Sequence, residues 1–92
     1  MTDVQIEEEL DVSLKELLKD QKEIVLFNDD YHTFDFVIES LVQVCKHNLI
    51  QAEQCTYIVH YNGKCIVKKG EYEKLEPMCT ALLDRGLTAE IH

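Results

Sequence analysis

Ninety-two residues suffice for one small domain, and 46% hydrophobic residues can build one modest core. Eighteen acidic against nine basic residues leave a formal net charge of −9, which repels phosphate backbones and argues against a nucleic-acid partner. No stretch approaches the roughly 20 apolar residues of a membrane helix, and the N-terminus begins acidic where a signal peptide carries positive charge. A soluble, cytoplasmic protein with no membrane partner is therefore expected.

Residues 1–22 hold seven acidic and three basic residues and neither Gly nor Pro. They read as a flexible acidic extension ahead of a core domain at 23–92. Within them, Ser13 and Glu16 fit a capping box, and Leu14, Leu17 and Leu18 would share a helix face.

At Glu23 the composition changes. Ile24-Val25-Leu26-Phe27 is a β-branched and aromatic run that predicts a buried strand, and Asn28-Asp29-Asp30 stops it in a turn. Thr33 can cap a helix from Phe34 to about Lys46, with apolar residues on a broad face. Asn48 and Gln51 form a second capping box, opening a helix from Leu49 to about Tyr61 that Asn62-Gly63 ends. Lys64 to Lys69 predicts a second strand, and Gly70 a turn. A third helix follows over roughly Glu73 to Arg85. Because proline lacks an amide hydrogen, Pro77 places the regular part of this helix from near Glu76. Gly86 is a natural end for it, and Leu87 to Ile91 a short last strand. The fold class expected is α/β (α+β): a single small domain with a three-stranded antiparallel sheet packed against three helices.

Cys45, Cys55, Cys65 and Cys79 are widely spaced and contain no C-x-x-C pair. They predict reduced, mostly buried thiols rather than a zinc site or a disulfide framework, and no metal or cofactor is expected. Taken alone, Asn28 and Asp29 read as turn residues and His60 as a residue favoured at a helix C-terminus by the helix dipole.

Three segments together carry more. Val25-Leu26-Phe27-Asn28-Asp29-Asp30-Tyr31, then Phe36-Val37-Ile38, then Val59-His60-Tyr61-Asn62-Gly63-Lys64 resemble the ClpS family signature in order and spacing. The resemblance covers about Glu23 to Ile91. It implies a bacterial adaptor of the N-end rule rather than an enzyme. Such an adaptor binds the destabilising N-terminal residue of a substrate protein (Leu, Phe, Tyr or Trp) and hands the substrate to the N-terminal domain of a ClpA-type AAA+ unfoldase for degradation.

By that resemblance, Asn28, Asp29 and His60 surround the substrate's free α-amino group. The residue types suit the task. An α-amino group with a pKa of about 8 is largely an ammonium with three donors at neutral pH. An amide oxygen, a carboxylate and an imidazole nitrogen can accept from it, directly or through water. The hydrophobic pocket implied beside them is walled by Asp30, His32, Phe34, Val37, Thr56, Val59 and Leu87. Phe34 and Thr56 stand where familiar members often carry Met, and His32 where they carry Thr, so one wall grows while another shrinks. Unfoldase docking maps to Glu73, with Lys74 as a substitute for the family lysine, whose own position falls on Met78. Residues 1–22 correspond to the extension that helps delivery, and a monomer is expected from the acidic surface.

Two other classes compete. One is a structural or protein-interaction domain of the same fold without N-degron binding, comparable to the C-terminal domain of ribosomal stalk proteins. The other is a hydrolase or metal enzyme built on Asp29, Asp30, His60 and a cysteine, for which no nucleophile motif or ligand-spaced His pair is present.

Overall fold

The computed structural model describes residues 21–92, which run in the order strand, helix, helix, strand, helix, strand. Ser13 and the leucines after it lie outside the described residues. The first strand, β1 (Gln21–Phe27), starts two residues ahead of the composition change at Glu23. It is the central strand of a three-stranded antiparallel sheet ordered β2-β1-β3, where β2 is Lys64–Glu71 and β3 is Thr88–Ile91. That position explains the apolar run: Ile24, Val25 and Leu26 are at most 5% exposed.

The ladder between β1 and β2 slips at one point. Ile24 pairs with Lys68 but Val25 with Ile66, so Val67 is an extra residue on β2. A bulge leaves its residue without a ladder partner. Here the Val67 carbonyl accepts instead from Nε2 of His47, at 2.6 Å, while the Val67 side chain enters the core. His47 is itself buried in the link between the first two helices, and its Nδ1 has no partner. A buried histidine thus ties the helical layer to the irregular point of the sheet.

The first helix, α1 (Phe34–Cys45), is capped as expected: Thr33 Oγ1 accepts from the Phe36 N–H at 3.1 Å. The second, α2 (Leu49–Asn62), starts with Asn48 Oδ1 accepting from the Gln51 N–H at 2.8 Å. It ends on Gly63, whose φ of 91° is a left-handed value that suits glycine.

The third helix, α3 (Tyr72–Asp84), departs from expectation in two linked ways. Gly70 does not turn; it continues β2 and pairs with Lys22. The helix then begins at Tyr72 with no intervening loop, so Pro77 sits in its second turn rather than its first. The cause is packing. Leu75 in the first turn is 1% exposed and shares a face with the buried Cys79 and Leu82. Burying a leucine there contributes about 1.5–3 kcal/mol, which offsets much of the cost of proline inside a helix, about 3 kcal/mol.

The core is built by Ile24 and Leu26 from the sheet, Leu41 and Cys45 from α1, Ala52 and Val59 from α2, and Leu75 and Leu82 from α3. No helix among the described residues is long and apolar enough to cross a membrane. All four cysteines are free; Cys45 and Cys79 are buried, and Cys55 and Cys65 partly so.

Candidate functional site

The end of β1 meets the end of α2. The Asn28 N–H donates to the Gly63 carbonyl at 2.9 Å, and Phe27 pairs with Lys64 just beyond. This seam places the Asn28-Asp29 turn beside the last turn of α2, which carries His60. Between them opens a narrow cleft enclosing about 340 Å³ of empty space, its mouth included. Nine residues singled out in the sequence line it: Asn28, Asp29, His32, Phe34, Val37, Thr56, Val59, His60 and Leu87. Leu26 and Phe27, not singled out there, complete the wall.

Asp30, expected on the pocket wall, is exposed in the turn and does not line the cleft. The reason lies in its neighbour. The N–H groups of Tyr31 and His32 both donate to Asp29 Oδ1, at 2.9 Å, so the chain wraps around Asp29 and leaves Asp30 at the outer bend.

The Asp29 carboxylate is also held by the His32 ring, whose Nδ1 lies 3.0 Å from Oδ1 and 2.9 Å from Oδ2. An ionised carboxylate can only accept, so Nδ1 carries the hydrogen. Partial burial raises the Asp29 pKa, but the hydrogen bonds from the His32 and Tyr31 backbone and the His32 ring outweigh it. The carboxyl therefore lies below its ordinary value. Oδ1 is saturated by these donors, while Oδ2 retains acceptor capacity for a ligand.

His32 is therefore more than a wall residue. Its ring stacks on Phe36, with centroids 4.8 Å apart and planes 20° from parallel. Its other nitrogen faces Gly86, where an added Cβ would come within 3.2 Å of Nε2 at a φ of 86°. Glycine after α3 thus serves the site as well as the helix end. The Asp-x-x-His spacing was the available signal for this pair.

Apolar walls complete the cleft. Thr56 is 3% exposed, and its hydroxyl donates to the Ala52 carbonyl at 2.7 Å, so its polar atom is satisfied within α2. Phe34, at the start of α1, meets His60 edge-on at 4.9 Å and Tyr57 edge-on at 5.4 Å. Leu87, 4% exposed, closes the side next to β3.

The residues mapped to unfoldase docking lie elsewhere, on the first turns of α3. Glu73 and Lys74 are exposed, whereas Met78 is partly buried against the core.

The architecture defines a small α+β domain with one cleft that joins a carboxylate, an amide and an imidazole to an apolar wall. The family described as "ATP-dependent Clp protease adaptor protein ClpS" matches residues 19–90. The chain belongs to the ClpS family, which consists of adaptors of a protease and not of enzymes.

Among curated relatives, the ATP-dependent Clp protease adapter protein ClpS of Campylobacter jejuni (serotype O:23/36, strain 81-176) is 44% identical over 43 residues. That stretch is 47% of this chain and 45% of the relative. The protein of the same description from Cronobacter sakazakii is 38% identical over 55 residues, 58% of this chain and 52% of the relative. The chain thus spans about half the length of the curated relatives it matches. Among solved structures, that of Agrobacterium tumefaciens ClpS2 bound to L-phenylalaninamide superposes with a TM-score of 0.68 at 20% identity. It covers 79% of this chain and 95% of that one. At that identity the likeness establishes the fold.

Proposed function

We propose that this protein binds the free N-terminus of substrate proteins through one large hydrophobic side chain and presents them to a Clp AAA+ unfoldase for degradation. The observation that carries this reading is a cleft in which acceptors and apolar walls adjoin. Asn28, Asp29 and His60 supply an amide oxygen, a carboxylate and an imidazole at one side, and Phe34, Val37, Val59 and Leu87 line the other. An N-terminal residue is a ligand with that polarity, an ammonium one carbon away from a side chain.

Charge-assisted hydrogen bonds to the ammonium contribute about 1.5–3 kcal/mol each. Burying a leucine or phenylalanine side chain contributes a similar amount. The negative field of a chain with net charge −9 raises the local concentration of a cationic terminus. The phenylalaninamide bound by Agrobacterium tumefaciens ClpS2 is a ligand of this class, a free amine on an aromatic residue. The adaptor acts as a monomer in the cytoplasm and docks through the exposed Glu73 and Lys74 on the N-terminal domain of a ClpA-type unfoldase. Met78 replaces a charged contact there with an apolar one.

The test is fluorescence anisotropy of labelled peptides that begin with Phe, Tyr, Trp or Leu. They are compared with the same peptides acetylated or beginning with Ala, on wild type and His60→Ala. Binding restricted to free amines on large hydrophobic residues, and weakened at least tenfold by His60→Ala, is expected from loss of about 1.5–3 kcal/mol. Absence of binding by a folded sample would reject the reading.

A further inference from the structure

α2 carries exposed aromatic residues beside its polar ones, Gln51, Gln54 and Asn62. Its inward face buries Ala52, Thr56 and Val59, while Tyr57 and Tyr61 stand outside at 52% and 78% exposure. Exposed aromatic residues grouped on one surface mark contact sites more often than chance placement does. These two are ordered with respect to the cleft. Tyr57 packs edge-on against Phe34, a wall of the cleft, at 5.4 Å; Tyr61 packs edge-on against His60 at 4.9 Å. The two tyrosine rings are parallel within 6°, at 6.3 Å. The result is a shallow aromatic shelf continuous with the rim.

The cleft is narrow, and its roughly 340 Å³ of empty space includes the open mouth, so it admits no more than one side chain and the following residues must lie on the rim. An extended chain advances about 3.3 Å per residue and sends alternate side chains to the same side. With the first side chain in the cleft, the third returns to the protein surface roughly 6.6 Å away. Tyr57 lies 5.4 Å from the cleft wall Phe34 and Tyr61 6.3 Å from Tyr57, so the shelf covers the surface over which that step falls.

We propose that Tyr57 and Tyr61 form a rim subsite for the third residue of the bound N-terminus and that it selects an apolar or aromatic side chain there. The inference rests on the N-terminal reading of the cleft and extends it from one substrate residue to three.

The experiment compares three free-amine peptides differing only in residues two and three, Phe-Ala-Ala, Phe-Leu-Ala and Phe-Ala-Leu, on wild type and on Tyr57→Ala/Tyr61→Ala. Alanine preserves helix propensity at these exposed positions, and a thermal melt checks the fold. The quantity read is the affinity ratio between peptides within each protein. In wild type, Phe-Ala-Leu is expected to bind about fivefold tighter than Phe-Ala-Ala, as partial burial of one leucine provides. In the double variant that ratio is expected to fall below about twofold. Equal affinities in wild type, a gain confined to Phe-Leu-Ala, or a gain that survives the double variant would each overturn the subsite. Failure of all three peptides would instead overturn the N-terminal reading itself, and the subsite with it.

Discussion

Asp29 and His32 hold each other: the imidazole Nδ1 contacts both carboxylate oxygens, at 3.0 and 2.9 Å, while the His32 backbone N–H donates to the same side chain at 2.9 Å. The pair shapes the turn that carries Asn28 and leaves Oδ2, with fewer donors than Oδ1, the acceptor capacity for a ligand. Breaking it by His32→Ala removes a partly buried charge-assisted bond and the stack on Phe36. A stability loss of about 1–2 kcal/mol is expected in urea denaturation at pH 7, together with weaker peptide binding.

The same pair makes stability depend on pH. The folded-state pKa of Asp29 is lowered relative to the ordinary 3.8, so its contribution is complete above that value and is lost as the pH falls through the folded pKa. The stability difference between wild type and Asp29→Asn is expected to shrink as the pH falls below about 4. Chemical denaturation at stepped pH measures it, and a difference that grows as the pH falls below about 4 would contradict this sign.

Ligand binding has its own pH limit on the alkaline side. If the cleft takes an ammonium, affinity falls as an amine with a pKa of about 8 loses its proton. Between pH 7 and 9.5 the anisotropy titration of a Phe-initial peptide is expected to weaken about thirtyfold. A flat profile would show that the neutral amine binds equally well.

Pro77 offers a test of packing against propensity. Because it sits in the second turn of α3, its ring displaces the amide hydrogen that the Glu73 carbonyl would otherwise receive. Pro77→Ala at this exposed site is expected to stabilise the protein by about 1–2 kcal/mol. This is less than the full helix penalty because proline also restricts the unfolded chain. An unchanged or lowered melting temperature would mean that the helix accommodates the ring without loss.

Cys45 and Cys65 should be poor nucleophiles. Burial pushes the Cys45 thiol up to about 11, and burial together with the neighbouring Cys55 thiol pushes Cys65 up to about 12. The thiolate is the reactive form. Iodoacetamide at pH 7.5 is therefore expected to leave both unmodified in the folded protein while labelling them in urea, as mass spectrometry of digests would read.

Much of this molecule was written locally. The caps at Thr33 and Asn48 bond three residues ahead, the end at Gly63 needs only a left-handed φ, and the apolar run at Ile24 to Phe27 serves as a central strand; each depends on near neighbours in sequence. The motif segments likewise carried the family, and five of the singled-out cleft residues (Asn28, Asp29, Val37, Val59 and His60) lie within them, while His32, Phe34, Thr56 and Leu87 were implied only by the resemblance. Only tertiary structure decided the rest. Leu75 drew α3 back to Tyr72 against the signals of Gly70 and Pro77, since its burial gain depends on partners from other elements. His47 completed the Val67 bulge across 20 residues, the Asp29 turn left Asp30 outside the cleft, and Tyr57 and Phe34 met across two helices to form the rim. Local chain chemistry selects the elements; which side chains then face a common space is set by how those elements pack.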